Sequence, residues 1–451
     1  MGSAERSAAA GEDNLLDVAR AAVKLALRKG ARETAGGAYR VRSVEVQWRD
    51  GQLEKISEST TRGLGLELYV DGRYSAVSTS DLRPEAVERF VEDAVALTRK
   101  LSVDPHRYLP DPKLYQGRAE VDLDLEDPRY GEVDALKRLE LARQLEEAAR
   151  AVPGSEAILS VTTAYGDTLA ESARVHSNGF EGARRVTDFG MSAQVSVKDP
   201  DGRRPEDWDA ASSRHFATLP GPERIGRAAA ERALARLGSA KGASAVLTMA
   251  VENRSAARLL GSLLGPLSAA ALQQKRSYLD GKLGQQVGSA LLDIGDDPLV
   301  PRGFGSRLFD SEGMAARRFP VFQGGVLRSY YVDNYYGRKL GMAPTTRGSS
   351  NLAWKLGTKG ADELLAAMGE GILVAGFLGG NSNSTTGDFS HGVQGYRVRG
   401  GKRAEPIGEM NISGNHLELW KHLAAVGNDP YAYSAARTPT LVFDGVQFAG
   451  T

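Results

Sequence analysis

Residues 39–79 read YRVRSVEVQWRDGQLEKISESTTRGLGLELYVDGRYSAVST. β-Branched and aromatic residues gather in four runs, 39–48, 53–57, 64–70 and 74–79, with Asp50-Gly51 and Asp71-Gly72 between them. Asp-Gly supplies the positive φ angles of a tight hairpin turn, so the stretch predicts an antiparallel meander. Helical periodicity flanks it. Leu15, Val18, Ala22, Val23, Leu25 and Ala26 share one face of a helix over 15–27 that ends at Gly30, and 83–101 forms another with Pro84 in its first turn. A similar unit follows: a helix over 133–152, strands over 158–165, 169–177 and 185–197 with turns at Gly166-Asp167 and Asn178-Gly179, and a helix over 223–237. The helix–meander–helix plan is thus used twice.

GSAKGAS at 238–244 reads as a linker, and the remainder is richer in glycine. Helices are expected there over 253–267, 333–340, 361–369 and 416–426, among short strands and turns. Strand runs grouped between helices indicate an α+β fold in two domains, with mostly antiparallel sheets flanked by helices. The expected divisions are a flexible 1–13, an N-terminal α/β domain over 14–237, the linker 238–244 and a glycine-rich C-terminal domain over 245–451.

Lys plus Arg and Asp plus Glu each total 57 in 451 residues, so the formal net charge is zero. A dedicated nucleic-acid or acidic-membrane binder needs a basic surplus, and none is present. The chain has no cysteine. Disulfides, thiolate nucleophiles, iron–sulfur ligation and cysteine-based zinc sites are therefore excluded. The first residues, MGSAERSAAAGEDN, carry no apolar core of the signal-peptide type, and no apolar run approaches the ~20 residues of a membrane span. A cytoplasmic protein is expected.

Three places invite chemistry. Asp310-Ser311-Glu312-Gly313 sets two carboxylates two residues apart, which suits a hard cation, an acid–base pair or simply a solvated turn. Asn381-Ser382-Asn383-Ser384-Thr385-Thr386-Gly387-Asp388-Phe389-Ser390-His391 is polar and glycine-flanked. Ser390 and His391 are neighbours on an expected strand and point to opposite faces, which argues against a nucleophile–base pair. His416 and His422 are six apart, outside the spacing of three or four that metal ligands on one helix face require, and no H-E-x-x-H occurs.

Taken in order, FDSEG at 309–313, FQGGVL at 322–327, VDNYYGRKLG at 332–341, MGEGILV at 368–374, TGDFS at 386–390, ISGN at 412–415 and VGND at 426–429 resemble the C-terminal domain of the TldD/PmbA family, the modulators of DNA gyrase. Gly63-Leu64-Gly65 and the Asp71-Gly72 hairpin extend the resemblance more diffusely through the first half. TldD-like members carry H-E-x-x-x-H on a C-terminal-domain helix and a cysteine near the end. The matching helix here is 253–267, whose LLGSLLG has no histidine, and no cysteine follows Asp429. The chain is therefore identified with the PmbA/TldE branch.

That branch implies a non-catalytic subunit in a TldD/TldE metalloprotease complex. It would shape a closed chamber for unfolded peptides, in leader-peptide removal or peptide turnover. No catalytic residue, metal or cofactor is expected in this chain; zinc is expected in the TldD-like partner. The glycine-rich stretch 376–395 is the expected chamber lining. Candidate peptide-contacting residues are Asn381, Asn383, Thr386, Gly387, Asp388 and Ser390, with Asp310 and Glu312. A homodimer, a stand-alone hydrolase using Asp310, Glu312, Asp388 or His391, and a peptide-binding scaffold are the alternatives.

Overall fold

The computed structural model describes residues 14–451; the segment expected to be flexible, 1–13, lies outside the described residues. Helix α1 (Leu15–Arg28) begins where the Asn14 side chain accepts the Leu16 amide, and it buries Ala19, Ala22, Val23 and Ala26. Strands β1 (Glu33–Arg49), β2 (Gln52–Val70) and β3 (Arg73–Thr79) form the meander, with Asp50, Gly51, Asp71 and Gly72 all at positive φ. Helix α2 (Pro84–Thr98) follows, then α3 (Ala135–Arg150), β4 (Ile158–His176), β5 (Glu181–Val197), β6 (Glu206–Ser213) and α4 (Pro222–Leu234).

The two units share one antiparallel sheet of six strands, in the order β3-β2-β1-β4-β5-β6. Its centre is the β1–β4 pair, in register from Ala35 opposite His176 to Arg49 opposite Thr162. Strand side chains alternate faces, so one face carries Leu64, Leu66, Leu68 and Val70 under α1 and α2, and Val161, Tyr165 and Phe189 under α3 and α4. The opposite face is bare of helices and looks toward the C-terminal half.

Three expectations for this half need correction. β2 is continuous through 58–63, held in the ladder by β1; residues 58–62 are polar and exposed and so show no apolar alternation. β4 likewise runs straight through Gly166-Asp167, where a turn was expected. Asp167 points into the core: its carboxylate accepts Arg138 Nε at 2.6 Å and the Tyr130 hydroxyl at 2.7 Å. Strand β6 was not anticipated at all; its alternation is carried by Asp207, Asp209 and Ala211 rather than by large apolar groups.

The second half begins with β7 (Ala245–Val251), α5 (Asn253–Leu264) and α6 (Ala269–Gln273). β8 (Ile294–Asp297), β9 (Phe319–Gln323) and β10 (Val326–Leu327) precede α7 (Asn334–Leu340) and β11 (Asn351–Trp354), and these four strands make a small sheet, β10-β9-β8-β11. Then come α8 (Ala361–Met368), β12 (Gly371–Ser382), β13 (Asp388–Arg399), β14 (Lys402–Asn415), α9 (His416–Lys421), β15 (Leu423–Val426) and β16 (Leu441–Ala449). The helix expected over 416–426 thus stops at Lys421. The larger sheet runs β14-β13-β12-β7-β16-β15, and β14 also pairs with β16 through Asn411–Ala449 and Ile412–Phe448, which closes a barrel. β12 and β7 are parallel; the other strand pairs of this sheet are antiparallel. Met249 and Val251 of β7 join the core built on α5, while Ala250 between them faces Leu364 and Leu365 of α8. No helix among the described residues is long and apolar enough to cross a membrane.

The Arg138–Asp167 pair has side chains 8% and 0% exposed. Removing one partner leaves the other charge buried and unpaired, which costs about 3–5 kcal/mol. Asp167→Ala is therefore expected to lower unfolding stability by that order, read by denaturant unfolding; a loss below about 1 kcal/mol would contradict a buried role for the pair.

Candidate functional site

The stretch 376–395 is a β-hairpin, not a loose loop. Its arms are the outer ends of β12 and β13, and residues 383–387 turn the corner. The Asn383 side chain accepts the amides of Thr385 (2.9 Å) and Thr386 (3.3 Å), and the Gly387 amide returns to the Asn383 carbonyl. Gly387 has φ +85°, and a Cβ there would lie 3.2 Å from the Asn415 amide and 3.3 Å from the Tyr278 ring. Glycine is needed at that position for conformation and for space.

Asp388 accepts the Thr386 hydroxyl at 2.7 Å and the Asn415 Nδ2 at 3.0 Å. These two bonds hold its carboxyl below the usual carboxylate range. Asn415 also caps α9, so one residue ties the hairpin corner to the helix. Asn381, Asn383, Thr386, Asp388 and Ser390 are exposed, and Asn381 stands opposite Ser390 in the ladder. The hairpin thus offers a polar rim of short side chains.

Beneath the rim lies a cluster that the one-dimensional pattern did not reveal. Ser382 Oγ is 3.2 Å from His391 Nε2, 3.0 Å from His416 Nε2 and 3.1 Å from Ser262 Oγ on α5. Both imidazoles are buried, His391 at 1% and His416 at 0% exposure, among Phe377, Phe389 and Tyr278. Burial, with His391 alongside, pushes His416 down to about 4; burial and Arg258 lower His391 as well. Neutral rings at pH 7 let the Ser382 hydroxyl donate to one Nε2 and accept from the other. No local sequence pattern reports the cluster: Ser382 ends β12, His391 lies on the neighbouring strand β13, and His416 opens α9, which begins where β14 ends.

Asp310 and Glu312 belong elsewhere, on a turn against the first sheet. Asp310 is buried rather than solvated: Oδ1 accepts the amides of Glu312 (2.9 Å) and Met314 (3.0 Å), and Oδ2 the Thr346 hydroxyl (3.2 Å). Glu312 accepts both the amide and the side chain of Asn334, at 3.0 and 3.1 Å. Phe309 packs edge-on against Phe180 of the first half, ring centroids 5.1 Å apart. The two candidate groups have no contact with each other, so they form two separate features.

The metal-site chemistry implied by the family resemblance can be checked against these donors. Around α5 stand two imidazoles and two hydroxyls, with no thiolate anywhere in the chain. The His416 Nδ1 lacks a partner, whereas a ligating histidine is normally held through its second nitrogen. No group of three or more His, Asp or Glu among the described residues is placed to hold a metal ion. The donor set does not fit zinc.

Glu312 supplies a pH test. Burial, with Asp310 nearby, raises its carboxyl from 4.5 to about 7. The fold binds this proton more tightly than the unfolded chain, so the stabilisation is complete below about 4.5 and is lost as pH rises toward about 7. Glu312→Gln is expected to flatten that limb of the stability–pH curve, by on the order of 1–2 kcal/mol after solvent screening. Parallel curves for the two proteins between those pH values would contradict a raised Glu312.

Comparison with known proteins places these features in a family. Models described as PmbA/TldA metallopeptidase domain 1, central domain and C-terminal domain match residues 38–98, 128–237 and 244–450. Metalloprotease PmbA of Escherichia coli O157:H7 is 28% identical over 413 residues, 90% of each chain. A crystal structure of a candidate modulator of DNA gyrase from Bacteroides thetaiotaomicron superposes with a TM-score of 0.93 at 38% identity, covering 96% of this chain and 98% of the other. TldE from Thermococcus kodakarensis shares the fold, with a TM-score of 0.84 at 20% identity over 96% of this chain and all of its own. The chain belongs to the PmbA/TldD metallopeptidase family.

Proposed function

We propose that this chain is the non-catalytic, TldE-like subunit of a two-subunit cytoplasmic metalloprotease, in which a TldD-like partner holds the zinc and this chain helps enclose the chamber for unfolded peptides. The observation that carries the reading is the donor set beside α5: the helix that corresponds to the family's zinc helix presents Arg258 and Ser262 to the hairpin, through the Gly380 carbonyl and Ser382. These side chains brace β12 and supply no imidazole, thiolate or carboxylate. The exposed rim of Asn381, Asn383, Thr386, Asp388 and Ser390 suits contact with a peptide backbone without reading its side chains.

Reconstitution with a TldD-like zinc subunit tests this. The pair is expected to cleave unfolded peptides in a chelator-sensitive reaction, and this chain alone to leave them intact. Asn381→Trp is the probe of the rim, since Asn381 is exposed and Gly387 cannot accept a side chain. Full complex formation with processing reduced ~10-fold or more is the expected result. Unchanged processing by the Asn381→Trp pair would place the rim outside the chamber.

The Ser382 cluster favours a second reading, a stand-alone hydrolase. A serine hydroxyl between two neutral imidazoles has a base in reach, although neither Nδ1 meets an orienting carboxylate. Chelator-insensitive cleavage of peptides or activated esters by this chain alone, abolished by Ser382→Ala, would establish that reading over the first.

A further inference from the structure

A cavity of 740 Å³ lies between the helix-free face of the first sheet and two loops of the C-terminal half, 307–311 and 346–349. Its floor is a row across four strands: Gly65 of β2 pairs with Gly37 of β1, Gly37 with Arg174 of β4, and Arg174 with Gly182 of β5. Gly37 and Gly65 have no need to be glycine for packing. A Cβ on either would meet nothing closer than 3.8 Å, and neither has a positive φ. The effect of two adjacent glycines is to leave bare backbone facing open space. One lip is β3, an edge strand of the sheet.

Charge around this floor is unbalanced. Arg174 is taken by Glu67 at 2.6 Å. Arg307 donates only to neutral acceptors, the Ser349 and Gly348 carbonyls and the Thr346 hydroxyl, and its Nε has no partner. Arg184 is half-buried with its Nε unsatisfied. The carboxylate that offsets it, Asp188, is already bound by Arg214 at 2.7 Å. Arg347 stands exposed at the rim. Asp310, the carboxylate on the loop wall, spends its oxygens on two amides and a hydroxyl. Asp188 and Asp296 act on Arg184 and Arg307 through space, yet neither guanidinium is bonded to a carboxylate. Guanidinium groups held so in a concave, partly desolvated site are suited to an oxyanion, which they bind in fork geometry.

We propose that this cavity binds the C-terminal carboxylate of an extended peptide, with the carboxylate at Arg184 and Arg307 and the last residues laid over the Gly37–Gly65 floor. The inference rests on the peptide-handling function proposed above and adds which end of the chain is held. A planar, singly charged carboxylate on a backbone matches both halves of the site, the guanidinium pair and the side-chain-free floor. A free phosphate would use only the first.

The test is fluorescence anisotropy of the full chain with an unstructured, N-terminally labelled decapeptide, as the free acid and as the C-terminal amide. The acid is expected to bind at least ~10-fold more tightly than the amide, the loss that removing one charge-assisted pair produces. Arg184→Gln should bring the acid down to the level of the amide and leave the amide unchanged. Gly65→Leu should weaken both by filling the floor. Its backbone already adopts an ordinary strand conformation and the space is open, so folding, checked by circular dichroism and Tm, is expected to persist. Equal binding of acid and amide overturns the proposal. So does displacement of both by millimolar inorganic phosphate with no acid–amide difference, which would assign the cavity to a free anion. The reconstituted pair separates this inference from the chamber reading: processing of acid and amide at equal rates overturns the carboxylate site alone, whereas failure to form a pair, with the acid preference intact in the single chain, removes only the chamber reading.

Discussion

Everything in the first half hangs on the pairing of β1 with β4. Each is the inner strand of its own helix–strand unit, and their ladder from Ala35–His176 to Arg49–Thr162 fuses the two units into one sheet. A sheet so joined has most of its apolar side chains on one face, where all four helices collect; the other carries a small cluster of Ala35, Tyr69 and Leu109. The other face is then free to carry glycine and arginine, residues that a two-sided core would not tolerate. The cavity against the C-terminal half is a result of that asymmetry.

The C-terminal half solves a different problem. Its large sheet is sandwiched between the α5 core and the α8 core, and closing β14 onto β16 removes the edges that an open sheet would present. The β12–β13 hairpin runs on past the region of tight packing, exposed over 378–386. Its corner is fixed by Asn383, Gly387, Asp388 and Asn415 acting together, so a segment with the composition of a mobile loop is held in one shape.

Fold class was legible in the sequence because helical periodicity and Asp-Gly turns are local signals. Asp50-Gly51 and Asp71-Gly72 do turn the chain at positive φ. Gly166-Asp167 has similar composition and lies mid-strand, because Arg138, more than twenty residues upstream, satisfies the carboxylate; no local pattern reports such a partner. The polar middle of β2, 58–63, was invisible for a related reason: its pairing comes from the β1 backbone, not from alternating side chains. For the site, Asn383, Thr386 and Asp388 stood out by composition. Ser382, His391 and His416 converge only because two neighbouring strands and a helix cap bring them together, and Asp310 and Glu312, grouped with the hairpin by chemistry alone, pack on the first sheet instead.

The central ladder also governs how the molecule can be made. β1 and β2 are joined by a two-residue turn and can zip together as soon as both leave the ribosome, but the other edge of β1 has no partner until His176 and the strand before it have been synthesised. During that interval an edge of seventeen residues stays open. Pairing at such separation carries a large loop-closure cost and slows folding. The polar, charged character of the outer part of β1 and β2, with Arg40, Arg42, Glu45, Lys55 and Glu58 in the ladder, then has a role in the nascent chain: it discourages one unfinished molecule from lending its strand to another.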